Sequence, residues 1–62
     1  MLQIAIKTHN AAYSDDGKTL SIDGRVEISK NLRQIATKIE GWEDSGAIID
    51  INGNVVGKWR ID

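Results

Sequence analysis

The stretch "TLSIDGRVEI", residues 19–28, decides how many strands this chain forms. Leu20, Ile22, Val26 and Ile28 occupy even positions, with Ser21, Asp23, Arg25 and Glu27 opposite. A period of two marks a half-buried strand, here with Gly24 on its inner face. Asp23-Gly24 is also a hairpin dipeptide, so the same residues divide alternatively into two very short strands; the unbroken parity favours one.

Upstream, Leu2, Ile4 and Ile6 alternate with Gln3 and Lys7 across residues 2–8, which predicts a first strand. Residues 10–18 contain Asp16-Gly17, a dipeptide that tolerates the left-handed backbone of a chain reversal. Downstream, the period changes at Ser29. Leu32, Ile35, Ala36 and Ile39 fall at i, i+3, i+4 and i+7, one stripe of a helix, with Arg33, Gln34, Thr37 and Lys38 on the wet side. Asn31 with Gln34 three residues on forms a capping box, Ser29 is the alternative cap, and Gly41 supplies a left-handed stop.

The last stretch, "DINGNVVGKW" over residues 50–59, reads as a hairpin turn. Asp50 opens a type I turn, Ile51 and Asn52 are central, and Gly53 takes the left-handed bulge position. That register sets Ile49 across from Val55 and Ile48 across from Val56. Ala47, Ile49, Val55, Gly57, Trp59 and Ile61 then share one face, and Ile48, Val56, Lys58 and Arg60 the other. A two-residue Asn-Gly turn divides the apolar residues less cleanly. The expected architecture is a small two-layer α+β domain, residues 1–62 as one unit: an antiparallel sheet of about four strands with one helix packed on one face, in ββαββ order.

At this length a core seldom supplies more than ~3–5 kcal/mol, so stability is expected to draw on a staple or a partner. The chain has no cysteine and one histidine, which leaves neither disulfides nor a zinc site and makes a partner subunit, most simply in a homodimer, the expected support. Eight basic and nine acidic residues give a net charge of −1, unlike the strongly cationic footprint of most nucleic-acid binders. No apolar run approaches the ~18 residues of a membrane span, so a cytoplasmic protein is expected.

The chemical motifs are weak. Counted from Asp50 as a calcium loop, the glycine is fourth where a sixth is needed and the twelfth residue is Ile61 where a glutamate is needed; Asp50 is expected to bond the turn backbone. Gly17-Lys18-Thr19 resembles the end of a phosphate loop, but Ala12 stands where its first glycine belongs and an alternating stretch follows it. Asp15 and Asp16 are adjacent and diverge, and no motif ties His9 to a nucleophile. No enzymatic activity and no cofactor are expected.

The outer face of the last hairpin is the candidate interface: Ile48 and Val56 as an exposed apolar pair, flanked by Lys58 and Arg60, with Arg25 nearby and Trp42 as an anchor in the loop after the helix. The short cysteine-free chain ending in an Asp-x-Asn-Gly-Asn-x-Val-Gly-x-Trp hairpin resembles small accessory proteins of bacteriophages and prophages. The resemblance implies an inhibitor or adaptor of a host protein and transfers no residue role. The leading expectation is a non-enzymatic, self-associating protein-binding module. The alternative is a small nucleic-acid-binding protein using Arg25, Lys58 and Arg60, although that face lacks aromatic rings on which bases stack.

Overall fold

Ser21 does not extend a strand; it starts a helix. Its backbone is extended (φ −75°, ψ 168°) and its hydroxyl accepts the Gly24 N–H at 2.9 Å, capping a helix that runs from Ile22 to Glu40. The computed structural model describes residues 1–62, with β1 Leu2–Ile6, α1 Ile22–Glu40, β2 Ser45–Ile49 and β3 Val55–Ile61. The three strands form one antiparallel sheet in the order β1-β3-β2.

The expected four strands in ββαββ order are therefore corrected to three in βαββ order. Of the second strand only an isolated bridge, Ser14 to Leu20, remains. The even parity misleads because Ile22 and Val26 are four residues apart, as are Gly24 and Ile28, and four is also a helical spacing. Asp23 in the first turn complements the positive end of the helix dipole. Tertiary packing fixes the choice at Gly24. A Cβ there would stand 2.0 Å from the Tyr13 carbonyl oxygen, so residues 10–20 lie directly on the helix backbone. The same carbonyl accepts from the Ser21 N–H at 2.9 Å and from its hydroxyl at 3.2 Å.

The helix buries Gly24, Glu27, Asn31 and Ile35, with Ile28 and Ile39 half-buried. Leu32 and Ala36 are exposed, so the buried stripe is rotated from the expected one. Asn31, expected as a cap, sits in mid-helix. Ile22 and Val26, the residues that suggested a strand, point into solvent.

The core joins Tyr13, Ile35, Ile48, Val56 and Trp59, ringed by Ile6, Ala12, Leu20, Ile28 and Ile39. Trp59 is buried as its parity indicates. Ile48 and Val56, expected outside as an exposed pair, are each only 4% exposed, whereas Ile49 and Val55 are exposed. A β-bulge explains the inversion. Ile49 does lie across from Val55, but Ile48 lies across from Gly57, which leaves Val56 as an extra residue between the two pairs. An extra residue resets the alternation, so Val56 joins the face of Ile48 and Trp59. The turn itself is as expected: Gly53 is left-handed (φ 84°), its N–H donates to the Asp50 carbonyl at 3.1 Å, and the Asp50 N–H donates to the Asn54 carbonyl at 2.9 Å.

The loop against the helix is held by an aspartate. The Asp16 carboxylate accepts from the Lys18 and Thr19 N–H groups, both at 2.8 Å, and from the Ser14 hydroxyl at 3.1 Å. The Thr19 and Lys18 backbone bonds, followed by that of Ser14, lower its pKa from 3.8 to about 2. A carboxyl depressed in the folded state stabilises above its unfolded pKa, and that stability is lost as pH falls toward its folded value. The urea midpoint should therefore drop between about pH 4 and pH 2, and Asp16→Asn should flatten part of that drop. A midpoint independent of pH across this range would contradict the held carboxylate.

Candidate functional site

The helix ends in an unusual way. Gly41 is the C-cap, but it is right-handed (φ −84°), and the left-handed residue is the next one, Trp42 (φ 69°). The Trp42 N–H donates to the Ile39 carbonyl at 3.0 Å and the Glu43 N–H to the Lys38 carbonyl at 3.0 Å, the paired bonds of a Schellman closure. The first residue past the cap is normally glycine, because a Cβ in this conformation costs ~1–2 kcal/mol. Here it is a tryptophan, and its side chain is 93% exposed. Strain and exposed apolar area fall on one residue.

Trp42 stands just before β2, whose first residue, Ser45, pairs with Arg60. From Arg60 the register leads across the outer face of the sheet. Arg60 lies between Ser45 and Gln3, and Lys58 between Ala47 and Ala5, all on the side opposite Trp59. The small side chains flanking Lys58 leave an open hollow of about 1020 Å³ that also reaches Lys7 and Val55. Arg60 donates to the Gln3 side chain at 3.3 Å and pairs with Asp62 at 3.4 Å. No aromatic ring stands on this face.

A polar network lies at the other end of the hairpin. Asp50, nearly buried, accepts from the Asn10 side chain at 2.8 Å, from the Asn52 and Asn54 N–H groups at 2.9 Å each, and from the Asn54 side chain at 3.3 Å. Burial pushes its carboxyl up, but the bonds from Asn54, Asn10 and Asn52 outweigh that and hold it below the ordinary value. Asp50 thus bonds its own turn, as the sequence implied. The buried Tyr13 hydroxyl donates to Asn31 at 2.8 Å, and Asn31 donates to the Ile49 carbonyl at 3.3 Å. Burial, then the negative charges of Glu27 and Asp50, raise the Tyr13 pKa. These groups are spent on one another and tie loop, helix and hairpin together, a structural arrangement with no free nucleophile. No group of three or more His, Cys, Asp or Glu side chains is placed to hold a metal ion.

The candidate interface residues are thus dispersed. Lys58 and Arg60 are exposed on the outer sheet face as expected; Ile48 and Val56 are core; Arg25 is on the helix, away from the sheet face assigned to it; Trp42 projects from the helix end. Sequence parity missed the left-handed backbone of Trp42. The nearest signal was Gly41, which locates the helix end within one residue. No helix is long and apolar enough to cross a membrane. No protein-family model, curated protein or solved structure matches the chain.

Proposed function

We propose that this chain is a non-enzymatic protein-binding module whose anchor is Trp42, with Arg60 and Lys58 on the adjoining sheet face as flanking charges. The observation that carries this reading is the conjunction at Trp42: a left-handed backbone that glycine would occupy without strain, bearing an indole that touches almost nothing of its own fold. A residue whose backbone costs stability and whose side chain contributes little packing is better explained by what it does for a partner. Tryptophan is also the side chain most enriched among interface hot spots. On the resemblance to phage accessory proteins, the partner is a host protein that the module inhibits or redirects.

The test is Trp42→Gly. Relief of the left-handed strain should raise stability by about 1 kcal/mol in urea titration, while affinity capture from bacterial lysate should lose the protein that the unmodified chain retains. Lower stability in the variant would mean that the indole packs on its own fold. Equal capture by both chains, or none by either, would remove Trp42 as an anchor.

A further inference from the structure

We propose that two copies of this chain join through β1, edge to edge and antiparallel about Ile4, to give a six-stranded sheet in the order β2-β3-β1-β1-β3-β2. This surface is distinct from Trp42 and does not rest on its role.

The strand order leaves β1 and β2 as edges. The outer side of β2 is attended by the helix: Asn31 bonds the Ile49 carbonyl, and Gln34, Ile35 and Lys38 line a small cleft with residues 47–49. The outer side of β1 has no such cover. Soluble proteins usually guard a free edge with a lysine, a proline or a bulge. Leu2–Ile6 has no charge and no proline, and its five consecutive pairs with β3 run without a bulge.

The direction of the free backbone groups fixes the register. The Asp62 N–H donates to the Met1 carbonyl at 3.1 Å and the Lys7 N–H to the Val56 carbonyl at 2.7 Å, so the odd residues turn their backbone toward β3. Leu2, Ile4 and Ile6 therefore turn theirs outward. Antiparallel pairing that sets Ile4 against Ile4 sets Leu2 against Ile6 at both ends, and all three outward residues of each copy meet outward residues of the other. Any even-residue shift leaves some of them unpaired.

Side chains agree with this register. Leu2, Ile4 and Ile61 lie on the face of buried Trp59 yet remain 38–48% exposed, because the core stops short of the edge. Across the twofold axis, Leu2 meets Ile6 and Ile4 meets itself, so apolar neighbours extend each core sideways.

Light scattering from micromolar to millimolar concentration, with amide hydrogen exchange on the same samples, tests the pairing. The mass should rise to twice that of the monomer, and the Leu2, Ile4 and Ile6 amides should become protected in step with it, while Gln3, Ala5 and Lys7 are protected throughout. Ile4→Pro removes the central outward donor and no bond to β3, and should stay monomeric with its melting transition intact. If that variant fails to fold, the exchange pattern of the unmodified chain still decides. A monomer through the millimolar range overturns the proposal. So does a dimer whose Leu2, Ile4 and Ile6 amides stay open; if Trp42→Gly dissolves that dimer, assembly belongs to the helix end instead.

Discussion

Val56→Asp should leave the chain unfolded in water, as read by the loss of its far-ultraviolet dichroism, whereas Val55→Asp one residue earlier should fold normally. Val56 is 4% exposed among Tyr13, Ile35, Ile48 and Trp59, and that cluster holds no cation to meet a carboxylate. Burying an unpaired charge, or neutralising it and leaving a polar group unbonded, costs several kcal/mol. The whole stability of a chain this short is ~3–5 kcal/mol, so one such substitution exhausts it. Val55 is exposed, and substitutions at such sites stay within about 0.5 kcal/mol. The contrast tests the bulge itself. Strict alternation from the turn would bury Val55 and expose Val56, and would reverse both results.

Gly24→Ala carries the second large effect, and its sign is the informative part. In an ordinary helix interior the change stabilises by roughly 0.5–1 kcal/mol, because glycine forfeits more backbone entropy. Here the new methyl would meet the Tyr13 carbonyl oxygen at 2.0 Å, and backbone cannot rotate away as a side chain can. The loop must lift, which strains both Ser21 bonds to that carbonyl and the Tyr13 to Asn31 bond. Overpacking of this kind costs about 1–3 kcal/mol, a large share of the total. Urea titration should show a clear loss of stability. A gain would mean that the loop does not rest on the helix.

These two positions also mark where the sequence stops being legible. The Asp50–Gly53 turn could be read from its Asn52-Gly53 chemistry, although the faces deduced from the apolar residues flanking it are inverted at Ile48, Ile49, Val55 and Val56, and the burial of Trp59 followed from its parity. Helix existence from Leu32 to Ile39 was equally plain. Its beginning was not, because Ile22, Gly24, Val26 and Ile28 satisfy periods of two and of four over so short a run, and the arbiter, the Tyr13 carbonyl on Gly24, lies eleven residues away in a loop. Val56 escaped for a different reason. A bulge adds a residue without any composition of its own, so parity counted from the turn inverts Ala47, Ile48 and Ile49 and Val55 and Val56, and agrees with the structure again only from Gly57 on. The candidate interface inherited that error through Ile48 and Val56, while Lys58 and Arg60, beyond the bulge, kept their side. Trp42 was visible as a loop tryptophan; its left-handed backbone was not, since Gly41 beside it is the residue that chemistry would choose.

The two indoles divide the molecule optically. Trp42 is 93% exposed and Trp59 is 1% exposed, with its Nε1 buried, unbonded and set against Gly46. One emitter therefore sits in water, open to collisional quenchers, and the other in an apolar enclosure with no hydrogen-bond acceptor to relax against. Red-edge emission belongs to the helix terminus and blue-edge emission to the core, so a single unlabelled sample carries separate signals for what touches its surface and for whether it is folded.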